Sequence, residues 1–199
     1  APATGTHYEL GVKKNIGKNA WRFAVYNYKI KNSQEAKFLD KKMDKVTYAN
    51  ENVKNTGVEL EWTRKQNDNL SWNLGLSISD PQKEGKDVSS KGVVTPIGWH
   101  RYYSRLGLNG GVDYTRGKLT TAFNINYVGK RTRDDYNKHY PSMKAQCFTD
   151  INFSYKANKE ARFFLNIDNL FNRHDIVSSS SSSFYNLGRN FMAGVEYKF

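Results

Sequence analysis

The chain has 199 residues, of which 38% are hydrophobic and 14% aromatic, and it carries a net charge of +12. It contains no uninterrupted apolar segment of the roughly 18 residues that a transmembrane helix needs, and its single cysteine excludes an intramolecular disulfide and a cysteine-based zinc site. The modest hydrophobic content is still compatible with a transmembrane β-barrel, because barrel strands alternate apolar and polar residues.

Nine segments alternate apolar and polar residues with the period of two that is typical of β-strands. In chain order they centre on residues 8–12, 21–31, 58–63, 70–78, 106–114, 119–127, 151–155, 161–167 and 191–199. Most are predicted to span about 9–13 residues, as tilted membrane-crossing strands do, whereas strands of globular proteins average about 5–6 residues. No segment has the pattern of an amphipathic helix. The sequence therefore predicts an all-β, antiparallel fold.

The connections between these segments alternate in length. Short polar turns are predicted at residues 14–19, 66–68, 116–117 and 157–159, and long polar loops at 32–51, 80–101, 131–145 and 173–185. Transmembrane barrels have this asymmetry, with short periplasmic turns and long extracellular loops. A soluble sandwich has no reason to place all of its long loops at one end.

The two faces of the predicted strands differ in composition. The polar face is rich in Gly, Ser and Asn, which suits a crowded or solvated barrel lumen. The apolar face carries aromatic residues near strand ends, as in the interfacial girdle of a membrane barrel. These residues are Tyr8, Trp21, Trp62, Tyr114, Tyr127, Tyr155, Tyr197 and Phe199. The alternative is that they form the ordinary core of a soluble protein.

An odd number of strands predicts an incomplete barrel. Nine antiparallel strands cannot close without placing two parallel strands side by side, and single-chain bacterial barrels have even strand numbers. The chain also begins in a predicted loop and without a methionine. We therefore expect it to be part of a larger barrel.

The last residues form a distinct motif. Gly194, Tyr197 and Phe199 belong to a terminal segment with alternating aromatic residues that ends on phenylalanine. This motif resembles the β-signal that the outer-membrane assembly machinery reads, an edge strand offered for pairing with its aromatic side toward lipid. An ordinary last strand that happens to end in phenylalanine is the alternative.

Several further motifs resemble the C-terminal barrel region of TonB-dependent outer-membrane receptors. Their order and spacing, together with the terminal phenylalanine, carry the resemblance, which covers most of the chain from about Asn55. The segments are Asn55–Glu61, Asn124–Arg131, Thr149–Tyr155, Leu165–Asn172 and Tyr185–Phe191.

The resemblance implies a barrel of 22 strands in the bacterial outer membrane, with an N-terminal plug. Such receptors import ferric siderophores, haem or cobalamin with energy relayed by the TonB complex. This chain has no plug and no TonB box, so we expect residues 1–199 to be the C-terminal portion of the barrel wall with four extracellular loops. The resemblance favours a ferric siderophore as the transported ligand.

Two stretches of the predicted long loops mix aromatic and cationic residues, which suits an anionic, ring-bearing metal chelate. The alternative is that they are solvated loop residues or bind lipopolysaccharide. Three loop histidines, His100, His139 and His174, could ligate the iron of a transported haem. The first stretch comprises Trp99, His100, Arg101, Tyr102 and Tyr103, and the second Arg131, Arg133, Tyr136, His139 and Tyr140.

The sequence shows no catalytic set, no metal-ligand spacing and no cofactor motif. The cations are scattered rather than gathered in one stripe, which argues against nucleic acid as a partner. Two other readings remain open: a small autonomous outer-membrane barrel acting as an enzyme or adhesin, and a soluble β-rich carbohydrate-binding module. The first predicts a closed, even-stranded barrel, and the second predicts tryptophans in a groove and solubility without detergent.

Overall fold

The computed structural model describes residues 2–38, 46–89, 91–101, 103–131, 143–179 and 183–199. Within these ranges the chain forms thirteen β-strands, and every pairing is antiparallel. No helix of the described part is long and apolar enough to cross a membrane. In chain order the strands are β1 (Thr4–Ile16), β2 (Asn19–Phe38), β3 (Val46–Asn67), β4 (Leu70–Ser79), β5 (Gln82–Val88), β6 (Val94–Arg101), β7 (Leu106–Arg116), β8 (Leu119–Val128), β9 (Gln146–Lys156), β10 (Ala161–Asp168), β11 (Ile176–Ser179), β12 (Ser183–Tyr185) and β13 (Asn190–Tyr197).

Nine of these strands form one continuous wall in the order β1-β2-β3-β4-β7-β8-β9-β10-β13. They are the nine segments that the sequence predicts, so the all-β, antiparallel prediction is confirmed. Two-residue turns at 17–18, 68–69 and 117–118 join neighbouring strands at one end of the wall, and residues 157–160 form the fourth short connection. Each lies at or next to a predicted short turn.

The connections at the other end are long, as predicted, but three of the four contain paired strands. The β2–β3 pairing continues from Ser33↔Glu51 to Phe38↔Val46, after a bulge at which Asn32 has a φ of 58°. Residues 82–101 form the β5–β6 hairpin, and β11 pairs with β12. The sequence pattern did not reveal these hairpins, because their apolar residues are too few and too irregularly spaced to alternate with polar ones. The fourth segment, 131–145, lies mostly outside the described residues.

Parts of four strands, β2, β3, β5 and β6, form a small sheet beyond the end of the wall. Strand β5 pairs with the upper part of β3, from Asn52↔Glu84 to Lys54↔Gln82, and β6 pairs with β5. We call the ranges 33–38, 46–54, 82–88 and 94–101 the upper sheet. It continues the wall beyond β4 and β7 at the end opposite the short turns.

The wall has an apolar face and a polar face, and it has no hydrophobic core. Cross-strand partners share a face, as in Trp21↔Trp62 and Phe23↔Leu60 on the apolar side. Among the described residues Ala49 is the one buried hydrophobic side chain, while large apolar side chains along the apolar face stay exposed. Soluble monomers rarely expose apolar patches beyond a few hundred Å². This face argues against the soluble carbohydrate-binding module.

The wall is also open. Strands β1 and β13 end the pairing order at opposite sides of the sheet and, within the described residues, do not pair with each other. The closed, even-stranded barrel required by the small autonomous barrel is therefore not formed by these strands.

Candidate ligand-binding surface

The polar face carries charged residues along the wall and a group of amides on its later strands. Arg22 of β2 forms an ion pair with Glu61 of β3 at 3.1 Å. The β7–β10 part adds a group of amides, which are Asn109, Asn124, Asn126, Asn152 and Asn166. Arg162 of β10 forms a second ion pair on this face, with Glu196 of β13. This face is therefore mainly hydrophilic, with Phe164 as an apolar exception.

The upper sheet contains a buried charge cluster on the side that continues the polar face. Lys83 of β5 lies between two carboxylates, forming ion pairs with Glu35 of β2 and with Glu51 of β3, the latter at 2.8 Å. Glu51 is 1% exposed. Burial tends to lower the pKa of Lys83, but hydrogen bonds to Glu35 and Glu51 outweigh it and raise the pKa above its ordinary value. Lys83 is therefore a firmly charged ammonium that holds three strands together.

His100 lies beside this cluster, because it is the cross-strand partner of Lys83. Its imidazole occupies the space above Gly85, where an added Cβ would lie 2.5 Å from Cε1 of the ring. Its Nδ1 atom is 3.1 Å from the carbonyl oxygen of Gly98. His100, a member of the first predicted ligand stretch, therefore lies on the polar side.

Strand alternation places Trp99 and Arg101 on the opposite side from His100. The ammonium of Lys54 lies 4.2 Å from the centre of the Trp99 ring. Arg101 donates to Asp80, and this hydrogen bond is the main cause that lowers the pKa of Asp80. These consecutive residues are predicted to belong to one site, but the structure divides them between the two faces of the β5–β6 hairpin. Tyr102 lies outside the described residues, and Tyr103 is 55% exposed.

Arg131 is the member of the second predicted stretch that the structure describes. Its guanidinium donates to Oε1 of Gln146 at 2.6 Å, and Gln146 in turn donates to the carbonyl oxygen of Ile176. Arg131 thereby links the ends of two connections above the wall. Arg133, Tyr136, His139 and Tyr140 lie outside the described residues. In the described ranges there is no group of three or more His, Cys, Asp or Glu side chains arranged to hold a metal ion.

Asn169 closes the connection between β10 and β13. It has a φ of 51° and is 7% exposed. Its side chain donates to the carbonyl oxygens of Arg173 and Leu187 at 2.8 and 3.0 Å, and its Oδ1 accepts the amide of Arg173 at 2.9 Å. Asparagine is among the few non-glycine residues that tolerate this backbone conformation. The Leu165–Asn172 motif thus has a structural role in folding the loop.

The sequence pattern does not identify this ion-pair cluster, because Glu35, Glu51 and Lys83 all lie in segments predicted as loops. Glu51 and Lys83 lie within polar runs that contain a valine or a glycine, and this pattern is only a weak signal of a strand. Pairing of strands distant in the sequence brings the three together.

The family model "TonB dependent receptor-like, beta-barrel" matches residues 1–170. The match begins well before Asn55, where the motif resemblance was located, and it ends before the terminal strand. A comparison with curated proteins finds no match.

Solved structures share this fold. The ferripyoverdine receptor of the outer membrane of Pseudomonas aeruginosa is 18% identical, with a TM-score of 0.75 over 100% of this chain and 27% of that one. The ferric yersiniabactin uptake receptor FyuA from Yersinia pestis is 21% identical, with a TM-score of 0.72 over 97% and 29%. The copper transporter OprC is 15% identical, with a TM-score of 0.73 over 100% and 32%.

The chain spans about three tenths of the length of these structures. The family and these neighbours are receptors and transporters, which agrees with the expectation that the chain is not an enzyme. The chain belongs to the TonB-dependent receptor β-barrel family.

Proposed function

We propose that the chain is the C-terminal wall segment of an outer-membrane receptor that imports a metal chelate, specifically a ferric siderophore. The observation that carries the proposal is the nine-stranded wall with one apolar and one polar face, in a chain of the TonB-dependent receptor family. Among structures with the same fold are receptors for ferripyoverdine and ferric yersiniabactin.

In this proposal the apolar face contacts the lipid of the outer membrane. The short turns lie in the periplasm and the upper sheet lies outside the cell, as is usual for such barrels. Lipopolysaccharide then surrounds the outer part of the wall. The assembly machinery reads the terminal strand through Gly194, Tyr197 and Phe199.

The polar face lines the lumen in the closed barrel. We propose that it packs against a plug, and that a plug and a TonB-contacting segment belong to a more N-terminal part of the protein. The share of the solved structures that the chain covers, 27–32%, supports this arrangement. The Arg22–Glu61 pair and the amides of β7–β10 offer hydrogen bonds to such a plug.

We propose that the ligand binds on the lumenal side of the upper sheet. His100 lies there beside Lys83, while Trp99 and Arg101 support the β5–β6 hairpin from its other face. Tyr102, Arg131, Arg133, Tyr136 and His139 remain proposed contributors from the neighbouring connections. An imidazole and cationic side chains match the carboxylate and hydroxamate oxygens of an anionic chelate.

The test is uptake of radiolabelled ligands by cells that carry the full-length protein, compared with cells that lack it. Ferric siderophores and haem with labelled iron, and cobalamin with labelled cobalt, would be supplied separately. We expect uptake of a ferric siderophore that depends on the protein and on TonB. Uptake of haem or cobalamin alone, or TonB-independent uptake, would contradict the proposal.

Replacing His100 with alanine tests the proposed site. We expect a weaker apparent affinity for the siderophore, with unchanged amounts of protein in the outer membrane. His7→Ala is the matched control, because His7 is an exposed histidine on β1, outside the upper sheet. Equal uptake affinity in the His100 variant and wild type would remove His100 from the site.

A further inference from the structure

A row of cations crosses the apolar face of the wall at the end where the upper sheet begins. The register aligns Thr6 with Lys29, Lys29 with Lys54, Lys54 with Gln82, and Gln82 with Arg101. Because cross-strand partners share a face, Lys29 and Lys54 project side by side from the apolar side. Lys31 lies on the same side of β2, two residues farther out.

The residues between this row and the short turns show where the row lies relative to the apolar band. On β2 and β3 the apolar pairs end at Val25↔Val58. The next row contains Tyr8, Asn27 and Thr56, in which the Asn27 side-chain amide donates to Thr56 Oγ1 at 2.6 Å. The lysine row follows two residues later, about 7 Å along the strands. The ammonium groups thus stand just beyond the edge of the apolar band.

The three lysines of this row have no carboxylate partner among the described residues. Within the described part of the chain, none of Lys29, Lys31 and Lys54 has a carboxylate at ion-pair distance. Lys54 lies over the Trp99 ring, which attracts cations but brings no negative charge. Like charges that face each other directly across a strand pair are destabilising. A bound anion between Lys29 and Lys54 would remove this repulsion.

The nearby acidic residues have other partners. Asp80 accepts hydrogen bonds from Arg101 and Gln82, and Glu84 accepts one from Asn52. Lys29 and Lys31 are exposed, and Lys54 is half-buried. Within the described ranges, the row therefore presents three ammonium groups without a carboxylate partner to the same external space.

We propose that Lys29, Lys31 and Lys54 form a binding site for the phosphate groups of lipopolysaccharide. This inference rests on the proposed outer-membrane location, which places the row at the level of the outer-leaflet headgroups. Lysine side chains can hold their ammonium groups at that level while their methylene chains cover apolar surface.

The test uses the full-length receptor purified from outer membranes in detergent, with the double variant Lys29→Gln, Lys54→Gln. The matched control is Lys14→Gln, Lys159→Gln, which removes the same charge at the short-turn end. The probes are purified lipopolysaccharide, the same material after removal of its phosphates, inorganic phosphate, and phosphatidylglycerol vesicles. Binding is measured by native mass spectrometry and by titration. Siderophore uptake and outer-membrane amounts are measured in parallel.

We expect the Lys29/Lys54 variant to bind phosphorylated lipopolysaccharide about fivefold more weakly or worse, since charge-assisted hydrogen bonds to phosphate are lost. The control should bind like wild type, and dephosphorylated material should bind wild type as weakly as the variant. Equal binding by the variant and wild type would overturn the proposal. So would effective competition by inorganic phosphate, or equal affinity for phosphatidylglycerol vesicles.

The same experiment separates this inference from the proposed function. A receptor that fractionates with the outer membrane and imports its siderophore, but whose variant retains lipopolysaccharide fully, would overturn the phosphate site alone. A protein that is absent from the outer membrane would overturn the location and the site together.

Discussion

Gly194 of β13 lies directly opposite Phe164 of β10, and a Cβ atom at Gly194 would be 2.5 Å from Cζ of the Phe164 ring. The ring therefore occupies the space that any other residue at this position would need. In the sequence, Gly194 belongs to the predicted terminal assembly motif. The structure adds a packing reason for glycine on the polar face.

Replacing Gly194 with alanine should destabilise the β10–β13 pair by about 1–3 kcal/mol, the usual cost of overpacking. Gly107→Ala is the matched control, because a Cβ there meets only Ser77, at 3.9 Å. The measurement is the denaturant midpoint of the folded full-length receptor, followed by heat-modified electrophoretic mobility. Adding Phe164→Ala to Gly194→Ala should recover part of the loss. No recovery would mean that the ring is not the cause.

Asn169 should be needed to keep the β10–β13 connection folded. In Asn169→Ala the amide of Arg173 loses its side-chain acceptor, while the carbonyl oxygens of Arg173 and Leu187 keep the Asn186 side chain as a donor. The lost hydrogen bonds should cost about 0.5–1.5 kcal/mol each. Hydrogen exchange across residues 170–189 should become faster, while exchange in β7 and β8 should not change. Asn15→Ala serves as the control, since Asn15 is an exposed asparagine at the opposite end of the wall. Unchanged exchange in the loop would contradict this role.

The upper sheet should be destabilised less when the charges of Lys83, Glu35 and Glu51 are all removed than when only the charge of Lys83 is removed. In Lys83→Met, Glu51 loses its ammonium partner while 1% exposed, and breaking such a pair costs about 3–5 kcal/mol. Adding Glu35→Gln and Glu51→Gln should restore most of the protection of residues 46–54 and 82–88 against hydrogen exchange. A triple variant no better than Lys83→Met would contradict the electrostatic explanation.

The raised pKa of Lys83 gives this cluster a defined pH dependence. A group whose folded pKa is raised stabilises the fold fully below its unfolded pKa, about 10.4, and loses that contribution as pH rises through the folded value. Protection of the upper sheet should thus be constant through neutral pH and fall only in strongly alkaline solution.

Asp80 should show the opposite pH dependence at the base of the β5–β6 hairpin. Its pKa is lowered, first by the hydrogen bond from Arg101, against an opposing effect of burial. Its stabilising contribution is fully present above the unfolded pKa of about 3.9 and is lost as pH falls through the folded value. Limited proteolysis with an acid-active protease should cut the hairpin increasingly below about pH 4.

Asp80→Asn should make the hairpin sensitive to proteolysis already at neutral pH. Asp68→Asn is the control, because Asp68 has a lysine partner of its own in a turn at the other end of the wall. If both variants are cleaved alike, the pairing of Asp80 with Arg101 does not anchor the hairpin.

The wall could be predicted from the sequence because each of its strands has one apolar face. Leu70, Trp72 and Leu74 alternate with polar residues, and this alternation is visible without any tertiary information. The upper sheet could not be predicted, because both faces of β5 are polar and its pairing with β3 joins residues about 30 positions apart. For the same reason the sequence could not show that Trp99 and His100 lie on opposite faces, since that requires knowing that residues 94–101 form a strand.

The terminal Phe199 should be required for assembly rather than for the stability of the finished wall. Its ring contacts Tyr197 edge to face, with 5.2 Å between the ring centres, and it lies past the last residue of β13 in an exposed position. Phe199→Ser removes little packing, so the purified folded receptor should unfold at the same denaturant concentration as wild type. Its amount in the outer membrane should nevertheless fall severalfold, because an edge strand with an apolar terminus is the proposed recognition element. Phe171→Ser is the control, since Phe171 is also a strongly exposed phenylalanine but lies in the β10–β13 connection. Unchanged outer-membrane levels in the Phe199 variant would count against the assembly signal.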